Sequence, residues 1–191
     1  MLFLICHQPG SILPTIRSRC RQLKLEAPDA TDFATILNQI APEIESHEYA
    51  ALYALSYGSP GHAITLHAAG GLKWYEGWLN AMQPGAGVEA RQKFADSASA
   101  QKSPDVWAAI LHGWHVAMQR ITLHPHGNFA AIFRGEAEKI AAIAASTTPL
   151  MRRIWAEKGQ GLIGQTETFN LDKRYTLRLL ADPAQLDMLA A

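Results

Sequence analysis

Apolar residues along this 191-residue chain recur mostly at intervals of three and four, the spacing of helices that bury one face. Phe33, Ile36, Leu37 and Ile40 form one such stripe, and Asp29 or Thr31 is placed to cap its helix after the Ala27-Pro28-Asp29 break. Pro42 separates it from a second helix over about 43–57, carrying Tyr49, Leu52, Tyr53 and Leu55. Gly58-Ser59-Pro60-Gly61 ends that helix and starts a third, with Ser59 as cap and Pro60 at the first position. Gly70-Gly71 reads as a hinge. Beyond it the pattern predicts a Trp74/Trp78 helix, a Gln83-Pro84-Gly85 turn, a helix near 86–100 and a longer one over 104–122 with Val106, Ile110, Trp114, Ala117 and Ile121 in register. A His124-Pro125-His126-Gly127 loop follows, then helices over 128–145 and 149–166, and a last one to about Leu180 capped by Asn170-Leu171-Asp172. The pattern from residue 70 onward reads as one helical bundle.

The first 26 residues break this rhythm. Leu2-Phe3-Leu4-Ile5-Cys6 is a short continuous apolar run closed by Gln8-Pro9-Gly10, and Gln22-Leu23-Lys24-Leu25 alternates; both read as strands. Two short strands do not make an independently stable sheet, so this start is expected to be the tail of a larger α/β domain. Between them Ser11 is placed to cap a short helix with Pro14 in its first turn, leaving Arg17 to Cys20 at that helix's end, at the sheet's edge.

The totals narrow the class. With 48% hydrophobic residues and much alanine, the chain has the makings of a packed helical protein. Formal net charge is zero, so no bulk attraction to nucleic acid or membrane is encoded. Two cysteines without paired spacing argue against a disulfide framework and suit a reducing cytosol. The N-terminal apolar run lacks a basic flank and ends too soon for a signal peptide, and no run approaches the ~20 apolar residues of a spanning helix.

Chemistry concentrates at Arg17, Arg19 and Arg21, three arginines within five residues. A guanidinium offers a rigid fork of donors to phosphate and keeps its charge near neutral pH. From spacing alone, Arg19 reads as a surface arginine on helix-end carbonyls. Cys20 reads as a small buried hydrophobe. Cys6, His7 and Cys20 match no zinc spacing. His112 and His115 share a helix face but have no neighbouring carboxylate in sequence; with His124 and His126 they read as solvated. Ser59 sits in no nucleophile elbow and reads as a cap. The five tryptophans, amid alanine and leucine, read as packing aromatics rather than a base-stacking platform. Arg152-Arg153 and Lys173-Arg174 read as solvated faces.

At Leu13-Pro14-Thr15-Ile16-Arg17-Ser18-Arg19-Cys20-Arg21 the chain resembles the clamp-loader branch of the AAA+ ATPases, through its Ser18-Arg19-Cys20 motif. Within that branch three further stretches resemble the delta-prime subunits of bacterial DNA polymerase III. These are Tyr57-Gly58-Ser59-Pro60-Gly61-His62-Ala63 in the helical lid, the long helical tail, and Phe169-Asn170-Leu171-Asp172 near the end. The chain departs from the wider family in having no Gly-x-x-x-x-Gly-Lys-[Ser/Thr] phosphate loop, no acidic Walker B strand and no zinc-binding cysteine cluster. His62 stands where that family often carries an arginine facing nucleotide, and Cys6-His7 replaces the Thr- or Ser-containing strand end of motor subunits.

The resemblance implies a mainly α protein, truncated at its N-terminus. Residues 1–26 would be the end of an AAA+ nucleotide-binding domain, 27–69 a three-helix lid domain, and 70–191 a helical collar domain. It implies that Arg19 is an arginine finger reaching the ATP-Mg of a neighbouring motor subunit, with Ser18 supporting it and no cofactor or metal held by this chain. Its partners would be the other loader subunits, the motor and delta subunits, with the sliding clamp and primed DNA met through the assembled cytoplasmic complex. No autonomous activity is expected of it, only a part in a DNA-directed DNA polymerase, a nucleotidyltransferase holoenzyme. A truncated motor subunit of the same loader and a free-standing helical interaction module are the alternatives; a Cys/His hydrolase is the third.

Overall fold

The computed structural model describes residues 4–6, 10, 12–23, 25–124, 126, 127 and 129–188. Among them the protein is helical and forms no strand. Residues 4–6 and the described part of 22–25 are irregular and unpaired, with Ile5 88% and Leu25 83% exposed. A strand needs neighbours on its hydrogen-bonding edges, and among the described residues none is offered. Ser11, the anticipated cap of the first helix, lies outside the described residues. That helix, α1, spans Pro14–Arg17 with Pro14 at its first position.

α2 (Ala30–Ile40) starts where a carboxylate meets free amides: Asp29 Oδ1 accepts from the Thr31 and Asp32 N–H groups, each at 2.9 Å. Phe33 and Leu37 are buried, Ile36 is half-buried, and Ile40 at the helix end is exposed. The helix expected over 43–57 is shorter. A 3-10 turn at Ser46–Glu48 leads into α3 (Tyr49–Leu55), and the chain leaves α3 through Tyr57 and Gly58, both at positive φ. α4 (Pro60–Ala68) begins on Ser59, whose Oγ accepts from the His62 N–H. Phe33, Leu37, Ala41, Ile44, Leu52 and Ala63 close a small core among these three helices.

The larger core belongs to the helices that follow: α5 (Gly71–Ala81), α6 (Val88–Ser99), α7 (Pro104–Leu123), α8 (Glu136–Ala145), α9 (Pro149–Phe169) and α10 (Lys173–Leu180); a short α11 (Pro183–Met188) comes after them. Ala51 and Leu55 of α3 and Leu66 of α4 join this core, and Leu72 touches both, so the two clusters abut through α3 and α4. α5 and α7 approach closely at Gly113, where a Cβ would meet the Tyr75 backbone at 3.2 Å. The tryptophans pack as expected: Trp78 Nε1 donates to the Ile110 carbonyl at 2.7 Å, and Trp114 and Trp155 both donate to the Leu180 carbonyl.

Further departures from the periodicity lie in the second half of the chain, where α9 also runs three residues past the expected 166. The helix expected from 128 begins only at Glu136, because Gly135 is left-handed (φ 88°) and the Glu136 carboxylate turns inward to take the Ile132 N–H. α11 was not expected at all; it follows Asp182, whose Oδ1 accepts from the Ala184 N–H at 3.0 Å.

Gly159, in the middle of α9, is a packing device. A Cβ there would sit 2.3 Å from Trp114 Cζ2 and 3.0 Å from Leu180 Cδ2. Alanine improves helix propensity by about 1 kcal/mol, but forcing a methyl against a buried indole costs about 1–3 kcal/mol. Gly159→Ala is therefore expected to lower stability by about 1 kcal/mol in urea unfolding, against the propensity trend. A more stable variant would mean that the Trp114 ring shifts freely.

Candidate functional site

α1 is one turn long, and its end is tied by its own backbone. The Ser18 N–H donates to the Pro14 carbonyl at 2.9 Å, Arg19 N–H to Ile16 at 3.1 Å, and Cys20 N–H to Arg17 at 3.3 Å. Ser18 Oγ donates to the Thr15 carbonyl at 3.2 Å, so the hydroxyl braces the turn from which Arg19 projects. Arg17, Arg19 and Arg21 are all exposed. The sheet edge on which this turn was expected to sit is not formed among the described residues. Cys20, expected to be buried, is exposed, as is Cys6, and both are free thiols; a four-residue helix with no buried residue gives a thiol nothing to pack under. His7 lies outside the described residues, and no metal-ligating group of three or more exists among the described ones.

The segment carrying this turn joins the folded helices at Ala27 and Pro28. Tyr53 Oη donates to the Pro28 carbonyl at 3.3 Å, and the turn at Gly58 packs beside Ala27. The same turn is held from the other side by α7. His112 Nε2 donates to the Leu55 carbonyl at 2.7 Å, and Tyr57 Oη donates to Gln119 Oε1 at 2.6 Å. His62 meets the His112 ring edge-on with centroids 4.6 Å apart. His62 therefore faces α7.

His112 was expected to be solvated. Instead burial, and then the neighbouring His62 and His115, hold its pKa below the usual imidazole value, against the opposing bond to Leu55. His115 Nδ1 donates to the Leu111 carbonyl at 2.8 Å, and its Nε2 meets the Gln160 side chain, so the ring does not lie free. His124 borders a cleft, and only His126 of the four is fully exposed. Arg152, also expected in solvent, is 6% exposed, because it falls on the buried face of α9 three residues before Trp155; Arg153 beside it is exposed and pairs with Glu157 at 3.0 Å. Lys173 lies over the Trp107 ring at 4.4 Å, and Arg174 reaches Asp96 Oδ2 at 3.0 Å.

A buried polar centre escapes the periodicity altogether. Glu136 (2% exposed) takes Arg120 Nη1 at 2.8 Å, the Tyr75 hydroxyl and the Ile132 N–H, and Arg120 (6% exposed) also donates to the Ala130 carbonyl at 3.0 Å. Burial first, and then the bond to Glu136, push the Tyr75 phenol far above its usual range, so it stays a donor. Arg120, His124, Phe129, Glu136 and Ile140 line a small open cleft of about 110 Å³. The sequence signals were Arg120 on the buried stripe of α7 and the Gly135-Glu136 pair. Both carboxylate oxygens of Glu136 are engaged, joining Ile132 to Arg120 of α7 and Tyr75 of α5.

No family model and no solved structure matches the chain. No helix among the described residues is long and apolar enough to cross a membrane. Over 70 residues the chain is 41% identical to the DNA polymerase III subunit delta-prime of Pseudomonas aeruginosa; the match takes in 37% of this chain and about a fifth (21%) of that relative's length. As far as sequence similarity extends, then, this helical chain is similar over part of its length to a DNA polymerase III delta-prime subunit.

Proposed function

We propose that the chain serves as a clamp-loader subunit of the delta-prime type within DNA polymerase III, helping to load the sliding clamp onto primed DNA. The observation that carries this reading is the 70-residue similarity to a delta-prime subunit. The chemistry assigned to this chain is electrostatic. Arg19, on a turn braced by Ser18 and open to solvent, is lent to a neighbouring motor subunit, where its fork of donors meets charge developing on the γ-phosphoryl group of bound ATP-Mg. The helices α5–α11 supply the collar surface through which the ring of subunits assembles, in the cytoplasm.

Arg19→Ala in the assembled loader tests the reading. ATP turnover by the partner is expected to fall at least about tenfold, with assembly unchanged by size-exclusion chromatography. Arg19→Lys is expected to recover little of it, since an ammonium lacks the planar fork. Full turnover by Arg19→Ala would remove the finger from the mechanism.

A further inference from the structure

The turn at residues 55–58 is held at three points by two other parts of the chain. α7 grips it through the His112 bond to the Leu55 carbonyl and the Tyr57 bond to Gln119. The incoming segment lies against it at Ala27, where a Cβ on Gly58 would be 3.4 Å from Ala27 Cβ. The turn itself stores strain: Tyr57 is held at φ 54°, a conformation uncommon for an aromatic residue, directly before Gly58 at φ 76°. Such a conformation persists only while its surroundings hold it. Outside contacts available for that are the two bonds to α7 and the edge-on packing of Tyr57 on His112, 5.9 Å between centroids.

We propose that His112, with Tyr57, is a proton-sensitive latch that docks the α2–α4 helices on α7 and so fixes where the arginine-bearing segment leaves the fold. The latch is a property of this chain alone. Its consequence for Arg19 rests on the function proposed above.

The carbonyl of Leu55 can only accept, so His112 carries its proton on Nε2 and would take a second on Nδ1. That second proton would put a cation in a half-buried site against His62 of α4, with His115 on the same face of α7. The charged and titratable groups around the latch are His62 on α4, Tyr57 on the turn, His115 and Arg120 on α7 and, beyond Arg120, Tyr75 of α5 and Glu136. The Glu136 carboxylate already answers Arg120, Tyr75 and the Ile132 N–H, and it exerts no pull on His112. Because the docked state holds His112 below the ordinary value of 6.5, undocking takes up a proton. Docking is therefore fully stable above pH 6.5 and weakens as pH falls below it.

Amide hydrogen exchange on the full chain tests this, with rates normalised to the intrinsic rate at each pH. Protection of the Ser56 and Gly58 amides, which bond to Leu52 and Tyr53, is expected to fall at least about threefold between about pH 7.5 and about pH 5.5. In His112→Phe that pH dependence is expected to vanish. Wild-type protection that ignores pH, or a His112→Phe variant that keeps the full drop, would overturn the latch. Should His112→Phe fail to fold, His62→Phe leaves the bond to Leu55 intact and removes the neighbouring ring. The His112 midpoint followed by NMR is then expected to rise, and an unmoved midpoint would overturn the proposal. These readouts need no partner, so they stand or fall separately from the ATP turnover of Arg19→Ala.

Discussion

Replacing Glu136 with alanine is expected to destabilise the protein by about 3–5 kcal/mol, read as a lowered midpoint in urea unfolding. The size follows from what the change strands. Glu136 is 2% exposed and accepts from Arg120, from Tyr75 and from the Ile132 N–H. Without it, a guanidinium 6% exposed and a phenol 0% exposed are left in the core with no carboxylate to answer them. An uncompensated buried charge is far costlier than the pair is favourable, since desolvation of both ions already consumes much of their attraction. The double variant Arg120→Met, Glu136→Met is therefore expected to be much less destabilised than Glu136→Ala alone. A double variant at least as unstable as the single one would show that the pair supplies net stability of its own.

Trp114→Ala is expected to cost a similar amount, about 3–5 kcal/mol by the same measurement. Its ring is 1% exposed and lies on Gly159 of α9, while Nε1 donates to the Leu180 carbonyl of α10, 3.3 Å away. The substitution opens a cavity where α7, α9 and α10 meet, and α9 cannot collapse into it without losing Trp155's own bond to the same carbonyl, at 3.0 Å. Trp114→Phe keeps most of the volume and is expected to lose clearly less. Equal losses for the two variants would point to the Leu180 hydrogen bond, rather than to packing, as the source.

The helix starts were readable because their causes are local. Asp29, Ser59 and Asp172 accept from amides within three residues of themselves, and Pro60 and Pro104 preset the backbone at the first positions of their helices, so a short window of sequence contains the whole interaction. The tryptophans were readable as core for a related reason: amid alanine and leucine at helical spacing, so large an apolar surface has few other places to go. The short turn before Arg19 was likewise legible, since Pro14 opens it and the Ser18 hydroxyl braces it.

Other features depended on residues distant in sequence. Glu136 turned inward, shortening α8, because Arg120 and Tyr75 arrive from 16 and 61 positions away to meet it. His112 left solvent because the Leu55 carbonyl, 57 positions earlier, lands on its ring nitrogen. The two N-terminal runs have strand patterning, but a strand is completed by its neighbours, and no pattern within a run supplies them. By itself the sequence determined most of the helical segments, where many of them start and which faces turn inward, since these are short-range consequences of capping and periodicity. Only the tertiary structure decided which polar side chains meet in the interior, because such meetings depend on how the helices cross and on which buried groups still lack a partner when they do.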